Sequence, residues 1–409
     1  MLKNTAQLNK ALQKCSNGFY TVERILSYNK PLNIITGPRS TGKSTGTAIF
    51  SLLYYIYIGG GFLYTRRTKD ETDLTKGAFF NDAIDIINEA KLGFKIVYFS
   101  CKGKEYYITI NYDNESYNTK KYNSKGEVVD ESPEEEAERI EKETQERAKC
   151  CGRSLALSMV GKAKSGFDFR GIDNIIFDEF VAEEQTDYLG SSDNPYVEYT
   201  KLISLYVTCD RKKGSAYRNE TRMFLLGNLA NVYNPILLKL KANTYLVNND
   251  NAKFISPKNE AWVIQQAIPS DAAQKKIKES YAYQLMDRSE QDYNFKNQTR
   301  SGYTSKEYIK REMPKGCIYV SGFILGGTKH GIYRDNNYNL YINKYQSGKN
   351  TEALDIVSYS AGDTALLVQN WRNSPYLNLI YKAFIRHKLF FDNQKTQHDL
   401  LMYLEFIPH

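Results

Sequence analysis

The sequence predicts an α/β protein with a mostly parallel sheet and helices on both faces, followed by a small C-terminal α/β domain. Three observations predict this class. Almost wholly apolar strand segments alternate with helical segments, as in a sheet that is buried on both faces. A glycine loop joins the first strand to a helix. A later apolar strand ends in two adjacent acids.

The composition is that of a globular chain and excludes several other classes. Of the 409 residues, 41% are hydrophobic and 25% are charged, and the net charge of +8 permits a polyanionic partner without requiring one. The most apolar stretch, residues 48–64, is rich in Tyr and broken by glycines, so we expect no membrane span. The N-terminus has no apolar segment typical of a secretory signal.

Two residue types limit the chemistry. The six cysteines form no C-x-x-C pair, so neither a zinc site nor a disulfide framework is indicated, and we expect a reducing compartment. All four histidines follow residue 329. Any chemistry in the first domain must therefore use carboxylates, Lys, Arg, hydroxyl groups and the backbone.

Local signals predict each element of the first domain, residues 1–248, in order. Predicted helices are 5–28, 43–57, 70–90 and 196–207, and predicted strands are 32–36, 62–64, 95–100, 105–111, 154–160, 173–178 and 222–228. Residues 112–150 change to a polar and then Glu-rich composition with a capping box at Ser132, which indicates an insertion. This insertion is either a surface element without chemistry or a docking element for a partner.

The composition changes again after residue 248. Residues 249–312 are rich in Asn, Lys and turn formers, which predicts a linker with a short helix at 271–286. Residues 313–409 form the predicted C-terminal domain, with strands at 318–325, 331–333 and 340–343 and helices at 378–386 and 394–405.

The glycine loop carries the strongest motif. Residues 37–44 match G-x-x-x-x-G-K-[ST], whose backbone N–H groups surround phosphates at the positive end of a helix. Lys43 would reach the β and γ phosphates, and Ser44 would hold Mg²⁺. The predicted nucleotide-binding residues are Gly37, Pro38, Arg39, Ser40, Thr41, Gly42, Lys43, Ser44 and Thr45.

Polar residues follow two other predicted strands. Asp178 would coordinate Mg²⁺, and Glu179 can act as the general base for an attacking water. A base aimed at water favours hydrolysis over a small-molecule kinase. Asn228 is either a sensor of the γ-phosphate or an ordinary loop residue.

Basic residues form the third group: Arg66 and Arg67 after a strand, Lys164 before the strand with the two acids, and Arg218 before the strand that ends at Asn228. Such residues could grip nucleic-acid phosphates or act as an arginine finger on a neighbouring subunit's nucleotide. The alternative for each is a solvated surface charge.

Several blocks in order carry a family resemblance. They are residues 33–44, 62–69, 175–180 and 227–235, and near the end 340–342 and 389–394. Together they resemble the DNA-encapsidation ATPases of small short-tailed, podovirus-type bacteriophages, which are related to terminase large subunits.

The resemblance implies an ATP- and Mg²⁺-dependent motor that pumps double-stranded DNA into a viral prohead. It implies an additional-strand P-loop NTPase domain and an RNase H-like C-terminal domain. It implies a homo-oligomeric ring, expected to be a pentamer, in the host cytoplasm and transiently at the prohead portal vertex, but not in the mature virion. By matching position, Arg218 is the trans-acting arginine finger and Lys164 a second basic residue that acts across the subunit boundary.

The C-terminal domain departs from true terminases. Terminase nucleases carry an Asp on the first strand of this domain, whereas residues 318–324 contain no acid. Because two-metal cleavage needs clustered carboxylates, we expect this domain to be nuclease-inactive. It would serve docking instead, on the portal and on a structural packaging RNA where one is used.

Two other functions stay open. One is a different P-loop DNA or RNA translocase, such as a helicase or a conjugation-type motor. The other is a nucleotide-switched scaffold without turnover.

Overall fold

The structure is a computed structural model. It describes residues 2–16, 20–38, 41–113, 121–122, 128–129, 132–163, 166–182, 189, 196–211, 221–228, 234–248, 253–268, 271–285, 308–310, 312–325, 328–345, 355–357, 375–386, 388–393, 396–397 and 400. The chain divides into two compact units. Unit 1 consists of Met1–Val181, Val197–Leu229 and Asn251–Asn297, and unit 2 of Ala182–Tyr196, Ala230–Asp250 and Gln298–His409.

Unit 1 contains most of the regular structure. Its strands are β1 (Leu32–Thr36), β2 (Gly61–Thr65), β3 (Phe94–Lys102), β4 (Glu105–Tyr112), β5 (Lys121–Tyr122), β6 (Val128–Val129), β7 (Lys149–Ser154), β8 (Ile172–Asp178), β9 (Arg222–Gly227), β10 (Phe254–Ile255) and β11 (Trp262–Gln266). Its helices are α1 (Leu2–Lys14), α2 (Glu23–Leu26), α3 (Lys43–Ile58), α4 (Lys69–Thr75), α5 (Asn81–Glu89), α6 (Pro133–Glu146), a 3₁₀ turn (Leu157–Met159), α7 (Val160–Ala163), α8 (Val197–Arg211), α11 (Asp271–Glu279) and α12 (Tyr281–Leu285).

Nine strands form one sheet in the order β10-β11-β1-β9-β8-β2-β7-β4-β3. The six strands from β11 to β7 pair in parallel. Strand β10 pairs antiparallel with β11, β4 antiparallel with β7, and β3 antiparallel with β4. Every residue of β1 and β8 is buried, as the apolar runs predicted. One face packs on α1, α3 and α5 around aromatic side chains that include Phe50, Phe62 and Tyr106.

The structure changes several predicted boundaries in unit 1. Strands β10 and β11 belong to the main sheet, so this domain does not end at residue 248 and the linker does not begin at 249. The five-residue β11 lies between polar segments, and its pairing with β1 is a long-range contact. The predicted strand 154–160 is instead β7 followed by a 3₁₀ turn, and the predicted helix 70–90 is interrupted around Gly77. Within the predicted insertion 112–150, helix α6 begins with the expected capping box at Ser132, and β7 starts inside the range.

Unit 2 contains a five-stranded mixed sheet. Its strands are β12 (Ile318–Leu325), β13 (Thr328–Arg334), β14 (Leu340–Lys344), β15 (Asp355–Val357) and β16 (Leu389–Phe391), and its helices are α9 (Pro235–Lys239), α10 (Ala242–Asn248) and α13 (Pro375–Ile385). The order is β15-β12-β13-β14-β16, with β12 to β14 antiparallel and both edge strands parallel to their neighbours. Most of the predicted helix 394–405 lies outside the described residues.

In the part of the chain that the structure describes, no helix is both long and apolar enough to span a bilayer.

Candidate nucleotide-binding site

The glycine loop lies between β1 and α3, where the sequence predicted it. Gly42 caps α3 with a φ of 84°, a left-handed conformation that favours glycine. A Cβ on Gly37 would lie 2.5 Å from the carbonyl oxygen of Ala267, so the loop needs glycine where it passes the end of β11. Backbone N–H groups at the start of α3 make this loop suitable for an anion.

Lys43 is folded onto the loop. Its Nζ donates to the carbonyl oxygens of Gly37 and Pro38, at 2.7 and 2.6 Å, and to the hydroxyl of Thr41 at 3.2 Å. The ammonium group therefore lies among the loop carbonyls, beside the backbone that the motif predicts to hold phosphates.

Ser44 and Asp178 meet although 134 positions separate them in the chain. The Ser44 hydroxyl donates to Oδ1 of Asp178 at 3.0 Å. The contact forms because α3 follows β1 and Asp178 ends β8, and the carboxyl ends of parallel strands share one edge of the sheet. The predicted pair of metal ligands is thus brought together.

Asp178 and Glu179 have contrasting environments. Asp178 is 5% exposed, and burial raises the pKa of its carboxyl above the usual value even though Arg66 lowers it. The Glu179 side chain is 67% exposed. Its backbone has a φ of 57°, an uncommon conformation for a residue other than glycine. Strained backbone of this kind is concentrated at functional sites.

Arg66 bridges the two acids. One guanidinium nitrogen, Nη2, lies 2.8 Å from Oδ2 of Asp178, and Nη1 contacts Oε2 of Glu179. Its Nε donates to the hydroxyl of Tyr64 at 3.1 Å. Burial by itself lowers the pKa of the guanidinium, but Asp178, Tyr64 and Glu179 raise it above its usual value. Arg66 is therefore firmly cationic and neutralises both acids.

Arg67 occupies a different position from its neighbour. It is buried against Glu198 of α8, with Nε 2.8 Å from Oε2, so it is not a solvated surface charge. Glu198 is not among the site residues that the sequence predicts. A single acid in the first turn of a helix normally indicates a favourable interaction with the helix dipole, and no pattern distinguishes a buried one.

Asn228 follows β9, the strand that separates β1 from β8. Its side-chain nitrogen and oxygen are both buried, and neither has a hydrogen-bond partner among the residues that the structure describes. Buried amide groups usually have partners. This amide lies at the sheet edge where Asp178 ends β8, close to the start of α3. Its unsatisfied donor and acceptor atoms are suited to binding a ligand.

A cavity of about 460 Å³ adjoins the loop. Thr45 and Gly46 of α3, Tyr20, and Asp82 and Asp85 of α5 contribute to its wall. The loop is tied to this wall because the backbone N–H of Tyr20 donates to the carbonyl of Thr41 at 3.0 Å. Gly42 and Thr45, two of the predicted nucleotide-binding residues, line this cavity.

Four predicted site residues lie outside the described part of the chain: Arg39, Ser40, Lys164 and Arg218. Their roles stay predictions.

The fold and the site together define the class: a mixed α/β protein with a large, mostly parallel sheet and the strand–glycine loop–helix junction typical of P-loop nucleotide-binding proteins. Residues 14–129, which contain the glycine loop and Arg66, match the family described as "Podovirus DNA encapsidation protein (Gp16)".

Relatives and a solved structure extend this match. The DNA packaging protein of Bacillus phage phi29 is 23% identical over 379 residues, 92% of this chain and 94% of that protein. The DNA packaging protein of Bacillus phage B103 is 25% identical over 373 residues, 90% of this chain and 95% of that protein. The chain is thus similar over most of its length to phi29-type DNA packaging proteins, which confirms the predicted resemblance. A structure of the bacteriophage phi29 viral genome packaging motor assembly shares the fold, with a TM-score of 0.53 and 20% identity over 95% of this chain and all of that one.

Proposed function

We propose that this chain is an ATP-hydrolysing motor that moves double-stranded DNA into a viral prohead. The observation that carries the proposal is the contact between the Ser44 hydroxyl and the Asp178 carboxylate, beside the glycine loop and next to Glu179. This constellation is suited to phosphate binding and hydrolysis, and the homologues are DNA packaging proteins.

The finer fold assignment belongs to the same proposal. Unit 1 is an additional-strand P-loop NTPase domain, supported by the position of β9 between β1 and β8. The C-terminal domain is RNase H-like, and its lack of nuclease activity is supported by the absence of any acid from β12.

ATP binding would rearrange the loop. Backbone N–H groups at the start of α3 hold the phosphates, and Lys43 must leave the carbonyls of Gly37 and Pro38 to reach them. The cavity lined by Tyr20 and Thr45 receives the nucleoside, and its carboxylates can accept hydrogen bonds from ribose hydroxyls.

The residues at the sheet edge fit Mg²⁺. Ser44 and Asp178 would hold the ion, since it prefers hydroxyl and carboxylate oxygens and keeps several waters. When bound, Mg²⁺ neutralises charge on the phosphates. The buried donor and acceptor atoms of Asn228, which have no partner within the described part of the chain, can orient a phosphate or the attacking water.

Glu179 is the general base. As water attacks the γ-phosphorus, Glu179 accepts its proton, and the bond from the γ-phosphorus to the bridging oxygen breaks to give ADP and phosphate. Glu179 cannot do this while Arg66 holds its carboxylate. Proton transfer to Glu179 therefore requires that Arg66 release this carboxylate.

The assembly is a homo-oligomeric ring, pentameric by the family resemblance, that works in the host cytoplasm at the portal vertex and leaves before the virion matures. Arg218 reaches the nucleotide of the neighbouring subunit, and Lys164 assists across the same boundary. DNA is held through its phosphates, so the grip is insensitive to base sequence and weakens with salt. The portal contacts the C-terminal domain, and so does a structural packaging RNA where one is used.

The test measures DNA-stimulated ATP hydrolysis by the wild type, Lys43→Ala, Arg218→Ala and a mixture of the two variants. Both variants alone should lose turnover by about 10³-fold or more, because each removes positive charge from the transferring phosphate. The mixture should regain activity, since a Lys43→Ala subunit still supplies Arg218 to a neighbour with an intact loop. Matched controls are Lys95→Ala and Arg170→Ala, whose side chains are exposed.

A wild type without turnover, or a Lys43→Ala variant as active as the wild type, would refute the ATPase. A mixture that stays inactive would refute the trans role of Arg218 alone. Proheads added together with DNA should stimulate hydrolysis more than DNA alone does. Equal stimulation in the two conditions would favour a different translocase.

A further inference from the structure

A buried ion pair adjoins the site and has no part in the chemistry proposed above. Arg67 follows β2 and is 4% exposed, and Glu198 of α8 is fully buried. Arg67 Nε lies 2.8 Å and Nη2 3.3 Å from the two carboxylate oxygens of Glu198. Because buried ion pairs rarely add net stability over apolar side chains of the same size, stability alone does not explain this pair.

Arg67 also donates hydrogen bonds to the turn that contains the proposed general base, Glu179. Its Nη2 donates to the carbonyl oxygen of Glu179 at 3.2 Å and to that of Phe180 at 3.0 Å. Hydrogen bonds from a charged donor are about twice as strong as neutral ones. They act on Glu179 and its neighbour, and Glu179 is the described site residue other than glycine whose backbone is left-handed and costly to hold.

The same turn is fixed from the other side by the sheet. The backbone N–H of Phe180 donates to the carbonyl of Leu226 on β9 at 3.0 Å, and the Phe180 ring is fully buried. Arg67 itself is held by Glu198 and lies over the ring of Phe177, with its guanidinium carbon 5.8 Å from the ring centre. The turn is therefore held between β9 and an arginine that cannot move without breaking buried contacts.

The two adjacent arginines contact different groups of this turn. Arg66 contacts the carboxylates of Asp178 and Glu179 and must release that of Glu179 before proton transfer, whereas Arg67 contacts the backbone and can stay. A guanidinium offers several N–H donors in a fixed fork, so one side chain can bind Glu198 and two carbonyls at once. A lysine has a single ammonium group and cannot reproduce this geometry.

We propose that Arg67 and Glu198 are positioning residues that hold the left-handed turn of Glu179, so that its carboxylate points at the attacking water once Arg66 has left. The inference rests on the proposed ATPase function. Loss of the pair would leave nucleotide binding intact, because the loop and Lys43 are untouched, and would slow the chemical step.

The experiment compares steady-state ATP hydrolysis of the wild type, Glu198→Gln and Arg67→Lys. We expect kcat to fall about 10- to 100-fold, as for a small misplacement of a catalytic group, with KM for ATP changed less than about threefold. The matched control is Arg153→Lys. Arg153 is also an arginine that pairs with acids, Glu105 and Asp168, but it is only partly buried and does not contact the turn of Glu179 in the described structure. This control should keep the wild-type kcat.

A second measurement separates positioning from general damage to the fold. In a Glu179→Gln background, Glu198→Gln should cause no further loss of the residual turnover, because Arg67 and Glu198 act through Glu179. If either variant fails to fold, Glu198→Asp, which keeps the charge, carries the same comparison.

The outcomes are distinct. A wild type that hydrolyses ATP together with a Glu198→Gln variant of equal kcat overturns the inference and leaves the proposed function standing. Equal further loss in the Glu179→Gln background, or a rise in KM that accounts for the whole effect, also overturns it. A wild type without turnover removes the proposed function and the inference together.

Discussion

Asp178 and Asp335 each lie where a strand ends, in different units, but their surroundings differ. Asp335 accepts hydrogen bonds from the backbone N–H groups of Asn337 and Asn339, the side chain of Asn339 and the hydroxyl of Tyr341, at 2.8 to 3.1 Å. Burial raises the pKa of Asp335, but these hydrogen bonds outweigh it and the pKa is lowered. For Asp178, the effect of burial is larger than the opposing effect of Arg66 and Ser44, so the pKa is raised.

The difference separates an acid that local partners satisfy from the acid that is predicted to bind the metal ion. The partners of Asp335 all come from the next six residues, so a local turn satisfies the charge. Asp178 depends on Ser44 and Arg66, both more than 100 positions away, and both would have to change partners when nucleotide binds. The charged form of Asp335 is satisfied by its own turn, whereas that of Asp178 depends on side chains from distant segments.

The largest expected effect concerns activity. Glu179→Gln should lower ATP turnover by about 10²- to 10⁴-fold because the general base is lost, while ATP affinity is retained. Asp335→Asn, which makes the same chemical change at the local turn, should leave turnover unchanged. Single-turnover hydrolysis and a fluorescent-nucleotide titration check both variants. Equal losses in the two would break the comparison, and unchanged turnover in Glu179→Gln would favour a nucleotide-switched scaffold.

The second effect concerns stability. Asp335→Ala should lower the free energy of unfolding by about 2–4 kcal/mol, because several donors lose a charged acceptor. Asp113→Ala, a surface change in unit 1, serves as the control. Urea denaturation of the full chain measures both. A loss below 1 kcal/mol would show that the turn does not depend on its acid.

The smallest effect is a pH dependence of opposite sign at the two acids. The lowered pKa of Asp335 means that its stabilisation is present above the unfolded value of about 4 and is lost as pH falls through the folded pKa. The raised pKa of Asp178 means that the native state binds the proton more tightly. Its contribution therefore falls as pH rises from about 4 through the folded pKa. Unfolding free energies of Asp335→Asn and Asp178→Asn, subtracted from the wild type across this range, should slope in opposite directions; parallel curves would contradict the assignment.

Local patterns in the sequence predict the strands and the helix that place Ser44 beside Asp178. Strands β1, β8 and β9 are continuous apolar runs, and the glycine motif fixed the start of α3, so the contact of Ser44 with Asp178 follows from parallel-sheet geometry. The position of Arg66 between the acids and the burial of Glu198 did not follow. Both depend on side chains from distant segments. The sequence does not show whether a charged residue forms a buried ion pair or is solvated.

The place of β11 in the sheet has a consequence for synthesis. Strand β1 pairs with β9 on one side and β11 on the other, and both are translated long after it. The nascent chain on the ribosome therefore carries the glycine loop on a strand whose edges stay open, a state that invites aggregation. The glycine loop passes the backbone of Ala267, so its surroundings are complete only after residue 267 has left the exit tunnel.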